Sequence, residues 1–191
     1  MFFKFRSPRL HQVLTSALLA TSLLGTFAPR AGAFAIKKRP CPKNPNPAAI
    51  SFSQGEAVVR SPGKNPQSFT FAVELADEQE QQNLGFMYRP EIPKETGMLF
   101  RYTSPKAMAI WMKNTCAPLD LIFVGAGDQI VAVARNLEPF SLTPHPSPGE
   151  ITSVLEVAAG EVDRLGIQPG WTLQLISTKT SKSSPSKTNK P

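Results

Sequence analysis

Cysteine, histidine, tryptophan and tyrosine each occur only twice in this chain of 191 residues. Two cysteines cannot build a disulfide framework or a cysteine-based zinc site. Two histidines leave little room for a histidine-rich metal centre, and no Cys/His/Asp/Glu group stands at ligand spacing. A glycine-rich phosphate loop is missing as well: Gly125-Ala126-Gly127 lacks the strand-to-helix context and reads as a turn. Beyond the N-terminus no apolar run approaches the roughly 20 residues that a bilayer requires. Nothing in the residues calls for a cofactor or a metal. The length suits one domain with tails.

The formal charge of +7 invites a nucleic-acid partner, but its distribution argues against one. Residues 1–33, 34–43 and 177–191 each hold four basic residues and no acid, whereas 44–176 holds nine basic and all fourteen acidic residues. A nucleic-acid domain carries its basic stripe on the folded surface. Here that region is acidic.

The N-terminus reads as a secretory leader. Lys4, Arg6 and Arg9 precede an uncharged run, Val13–Ala28, and Ala31-Gly32-Ala33 fits a small-x-small cleavage site. No twin arginine precedes the run, so the general secretory route is expected, with delivery to the periplasm or beyond. The rival is an uncleaved membrane anchor, disfavoured by Thr15, Ser16, Thr21 and Ser22. The expected organisation is a signal peptide over 1–33, a Pro-rich linker over 34–49, a single β-rich domain over 50–176 and a disordered Ser/Thr/Lys tail over 177–191.

Within the domain, Ser68–Leu75 alternates cleanly, with Phe69, Phe71, Val73 and Leu75 on one face. Asp77, with Glu80 three residues on, reads as the capping box of a helix that stops before Pro90. Further strands are read at Gly97–Tyr102, Ala107–Asn114, Leu119–Val124, Gln129–Leu137, Ser153–Val157 and Trp171–Ser177. Ala107–Asn114 is apolar on both faces and so reads as central. Ala158–Leu165 reads as a short helix capped by Gly166. Short connections predict a mainly antiparallel sheet, hence a small barrel or sandwich of about seven strands with two short helices. The Pro-rich stretch Glu138–Glu150 reads as a long loop.

Several blocks carry a resemblance: Gly85-Phe86-Met87-Tyr88-Arg89, Gly97-Met98-Leu99-Phe100, Trp111-Met112-Lys113-Asn114-Thr115, Pro118-Leu119-Asp120, and Leu155-Glu156-Val157 with Gly160. In sequence and spacing they resemble the family catalogued as domain of unknown function 192, over roughly Ser68–Ile176. The resemblance implies a small, mostly antiparallel β domain, often exported in bacteria, and no established activity. This chain departs from the family pattern at Trp171, where relatives commonly carry an acid.

Arg89, Trp111, Lys113, Asn114, Asp120 and Glu156 are the candidate ligand-binding residues. Charges in such apolar surroundings need partners. One reading makes them structural pairs, Lys113 with Asp120 foremost. The other makes them a polar pocket in which Lys113 and Arg89 receive an anionic or polar group and Trp111 supplies a stacking face. Asp120 and Glu156 are weighed as a glycosidase carboxylate pair, and Cys116 with His145 as a dyad; neither has support beyond residue type. Free thiols suit a flexible linker, whereas an oxidising compartment would favour a Cys41–Cys116 disulfide. The functional reading is a non-enzymatic exported binding or accessory domain that meets a small ligand, an envelope component or another exported protein. The alternative is a carboxylate-based envelope hydrolase. N-terminal sequencing of the cellular protein should begin at Phe34; an intact Met1 would refute cleavage.

Overall fold

Period-two alternation builds a single mixed sheet, seen in a computed structural model that describes residues 39–46 and 50–179. The expected leader and most of the expected C-terminal tail lie outside the described residues. The strands are β1 (Ser53–Arg60), β2 (Ser68–Ala76), β3 (Thr96–Ile110), β4 (Leu119–Val124), β5 (Ile130–Leu137), β6 (His145–Ala158) and β7 (Thr172–Lys179), with helices α1 (Gln79–Leu84) and α2 (Glu161–Leu165). Their spatial order is β5-β4-β6-β3-β2-β1-β7. β2 and β3 pair in parallel, because the connection through α1 is long enough to carry the chain back across; the other pairs are antiparallel. The edge strands approach each other at a lone bridge, Gln129 with Thr172. The sheet therefore curls in a sandwich-like manner without closing into a barrel, and the mainly β expectation holds.

Around β4 both faces of the sheet are buried. All six residues of β4 are buried, and alternation divides them. Ile122 and Val124 join Phe71, Val73, Leu99, Leu155 and the α2 residue Val162 in one core. Leu119, Leu121 and Phe123 join Met98, Phe100, Val154, Phe86 and Met112 in the other. Each such side chain contributes roughly 1.5–3 kcal/mol by leaving water.

The strand count matches expectation only because two differences cancel. β1 was not anticipated; its signal is the short run Ala57-Val58-Val59, all buried. The separate strands expected at Gly97–Tyr102 and Ala107–Asn114 are one strand, β3, whose register shifts between Arg101 and Lys106 and again between Ala107 and Ala109. Its far half is not central. Lys106–Ile110 pairs with β6 alone and alternates half-buried with exposed residues. Nor is Glu138–Glu150 all loop, since β6 begins at His145 to provide that partner.

Local boundaries also moved, α2 beginning at Glu161 rather than at the expected Ala158, which ends β6. The capping side chain is Gln81, whose Oε1 accepts the N–H groups of Asp77 and Glu78 at 2.9 and 3.0 Å. Asp77 instead accepts from Arg101 Nε at 2.7 Å. The helix ends at Leu84 because Gly85 turns with φ +48°, where a Cβ would lie 3.3 Å from the Phe100 ring. β7 runs to Lys179, past the boundary placed at Ile176, because β1 continues to offer pairing partners as far as Gln54.

Cys41 and Cys116 form a disulfide with Cα atoms 5.4 Å apart, in place of the free thiols that the flexible segment suggested. Nearby, Arg39 stacks on Phe140 at 4.9 Å. The bond closes a span of 75 residues, for which the chain-entropy value is about 4 kcal/mol. Residues released from the surface on reduction recover part of that. A urea series with and without reductant should show a loss of about 2–4 kcal/mol; identical curves would show that the bond constrains nothing.

Candidate functional site

The six candidate residues separate into two groups. Asp120 is fully buried and satisfied by backbone alone. Its Oδ1 accepts the Asn136 N–H at 2.8 Å, and its Oδ2 accepts the N–H groups of Gly160 and Val162 at 2.9 and 3.0 Å. It thus fastens the N-terminal turn of α2 and the end of β5 to β4, a structural task. Arg89 grips Glu74 bidentately at 2.9 and 2.6 Å and lies 5.1 Å over the Phe86 ring. Asn114, at φ +56°, donates through Nδ2 to the Tyr88 hydroxyl at 3.0 Å, and its carbonyl accepts the Tyr88 N–H at 2.9 Å. The expected Lys113–Asp120 pair is not formed. Asp120 needs no cation once three N–H groups reach it, and Lys113 turns to the Trp111 ring at 5.1 Å.

Trp111, Lys113 and Glu156 do come together. They line one cleft of about 380 Å³ with Gln82, Gly85, Phe86, Phe100, Tyr102, Lys106 and Met108. The floor is apolar, made by Phe86 and Phe100, both buried. Two lysines flank aromatic rings: Lys106 stands 4.5 Å over Tyr102, as Lys113 does over Trp111. Among the described residues neither lysine pairs with a carboxylate. Trp111 is 50% exposed, with Lys113 over its ring.

Glu156 is the chemically unusual member. It sits on β6 opposite Met98 of β3 and Leu121 of β4, with only 5% of its surface exposed. No hydrogen bond or ion pair within the described residues reaches its carboxyl group, yet no buried side-chain oxygen there is sealed without a partner. Its oxygens therefore open into the cleft. Burial disfavours the charged form and pushes its pKa up to about 8. Burial, and then the neighbouring Glu156 charge, push the Tyr102 hydroxyl up to about 12.

The carboxylate-pair expectation is corrected by the pleat. Asp120 stands opposite Val157, and Glu156 opposite Leu121, so the two acids project from opposite faces of the sheet. Glu156 is the one carboxylate among the lining residues. Cys116 is spent in the disulfide and cannot act with His145. No group of three or more metal-ligating side chains gathers among the described residues.

Sequence reasoning missed Tyr102, Lys106, Met108 and Phe100 as cleft residues. Dividing β3 into two strands hid that these even-numbered positions share one face. Gln82 and Gly85 were missed because α1 was drawn too long to end at the cleft.

Comparison with known proteins gives the following. The model of the family DUF192, described as Uncharacterized ACR, matches residues 59–175. A solved structure described as a putative transcription regulator from Sinorhizobium meliloti is 32% identical, with a TM-score of 0.61, covering 66% of this chain and 97% of its own. A protein of unknown function from Novosphingobium aromaticivorans is 33% identical, with a TM-score of 0.62, covering 70% of this chain and 91% of its own. No curated protein matches the chain.

The raised pKa of Glu156 has a definite sign in stability. The folded state holds its proton up to about pH 8, whereas the ordinary value is 4.5. Between those limits the folded chain binds more protons, so stability falls as pH rises. At 1.36 kcal/mol per unit the loss is on the order of 4 kcal/mol. Denaturation from pH 5 to pH 8.5 should show this slope, and Glu156→Gln should flatten it. An equal slope in both proteins would refute the assignment.

Proposed function

The chain belongs to the DUF192 family, and from that premise we propose that it is an exported, non-enzymatic binding module whose cleft receives a small polar ligand. The observation that supports this is the buried, unpartnered Glu156 facing an open cleft flanked by Trp111 and two unpaired lysines. An apolar floor with a few converging polar groups is the usual form of a small-molecule site. A purely structural carboxyl would be expected to be satisfied, as Asp120 is. Export rests on the leader pattern of residues 1–33.

A general acid would also sit well in such a position, which is the strongest point for an envelope hydrolase. Among the described residues the cleft offers that acid no second carboxylate to activate water or to attack. The regulator description belongs to the Sinorhizobium neighbour, and our reading does not carry it over, since residues 44–176 hold fourteen acidic and nine basic residues, a balance that disfavours a nucleic-acid partner.

Trp111 provides the readout, since the other tryptophan, Trp171, is buried away from the cleft at 5% exposure. Fractions of a cell-envelope small-molecule extract that carry the ligand should shift Trp111 emission. Trp111→Phe should abolish the shift, and Lys113→Met should weaken binding at least about tenfold, or 1.4 kcal/mol, with melting temperature unchanged. Binding that survives both substitutions at full strength would place the ligand elsewhere.

A further inference from the structure

The charges around the cleft are sorted by depth, and this sorting points to a ligand class. The following inference rests on reading the cleft as a ligand site. Deep in the cleft lies one carboxyl group with no protein partner among the described residues. Farther out are two lysines that have aromatic rings but no carboxylate beside them. The groups facing Glu156 from the neighbouring elements are accounted for. Met98 and Leu121 flank it on the sheet, Gly85 approaches from the end of α1, Tyr102 stands beside it on β3, and the Gln82 amide nitrogen is spent on the carbonyls of Ala76 and Arg101.

A neutral sugar or alcohol would leave both lysines uncompensated. A simple anion would meet the lysines and leave the deep carboxyl, neutral while the cleft is empty, without a polar partner. A simple amine would do the reverse. We infer that the cleft binds a small zwitterion of the α-amino acid type, its ammonium against the Glu156 carboxylate and its carboxylate toward Lys106 and Lys113. The side chain of such a ligand would lie on Phe86, Phe100 and Met108, beside the half-exposed Trp111.

Binding then moves a proton. Glu156 is neutral in the empty cleft at neutral pH. The arriving ammonium group stabilises its ionised form, and the carboxyl proton passes to solvent and buffer. No bond other than that O–H is broken.

The test uses the full chain at pH 7 and three probe sets at about 10 mM: the twenty common L-amino acids, their N-acetyl derivatives, and monosaccharides including N-acetylglucosamine. A rise in melting temperature with one or more free amino acids is expected, because a ligand bound only by the folded state raises stability. The matching N-acetyl derivative, which lacks the ammonium, should give none. Calorimetry of the best binder in phosphate and in Tris should show release of close to one proton per molecule bound. Glu156→Gln, checked for folding by circular dichroism, should abolish proton release and weaken binding at least tenfold. Lys113→Met should weaken binding and keep the proton release.

Three results would overturn the inference: no response to any amino acid, N-acetyl derivatives that bind as well as the free acids, or binding without proton release. A Trp111-dependent response confined to monosaccharides or N-acetyl acids would overturn the zwitterion while leaving the cleft as a binding site. No Trp111-dependent response to any of these sets or to an envelope extract would remove both readings together.

Discussion

The antiparallel ladder between β3 and β6 is the constraint from which the site hangs. It sets Met98 opposite Glu156 and Leu99 opposite Leu155 in the core, and continues beyond the body of the sheet to Ile110 opposite His145. Because side chains alternate, that register decides which face of β6 carries Glu156. A slip of one residue would send Glu156 into the core that holds Leu155 and Val157, and would bring those apolar groups to the cleft. The irregularities in the same ladder, at Arg101/Lys106 and Ala107/Ala109, let the far half of β3 depart from β2 and form a wall.

Two buried carboxyl groups on neighbouring strands show how environment assigns a role. Asp120 is short, lies at the start of β4 and finds three N–H groups converging on it from β5 and the α2 turn. Those bonds repay its desolvation and tie three elements together. Glu156, on the other face, receives no such bond from its neighbours among the described residues. The chain bears that cost without a visible structural return, a pattern associated with binding and catalytic positions as well as with structural networks.

The Cys41–Cys116 disulfide belongs to the same region. Cys116 directly follows Thr115, which lines the cleft, and the loop that holds both also accepts the Tyr88 and Phe140 N–H groups at the carbonyls of Asn114 and Thr115. A segment without regular structure is thus held by a covalent bond, by backbone pairing and by the buried Met112. This is how Trp111 and Lys113 are kept at the cleft although neither lies in a strand.

Composition and alternation by themselves determined the β class, the β4–β5 hairpin with its Gly125–Asp128 turn, the α2 helix with its Gly166 cap, and the family resemblance carried by the blocks from Gly85 to Gly160. These are local properties: period-two burial, turn chemistry and motif spacing act within a few residues. Sequence also selected Trp111, Lys113 and Glu156, because a large aromatic or a charge amid apolar residues needs an explanation wherever it occurs. Only the tertiary structure separated these from Arg89, Asn114 and Asp120, since whether a polar group is satisfied depends on donors from distant elements such as Glu74, Tyr88 and the α2 turn. It likewise decided that Asp120 and Glu156 face apart, that β3 is one strand, and that Tyr102 and Lys106 share the cleft. Register between strands far apart in the chain sets all of these, and alternation within a single strand carries no information about its partner.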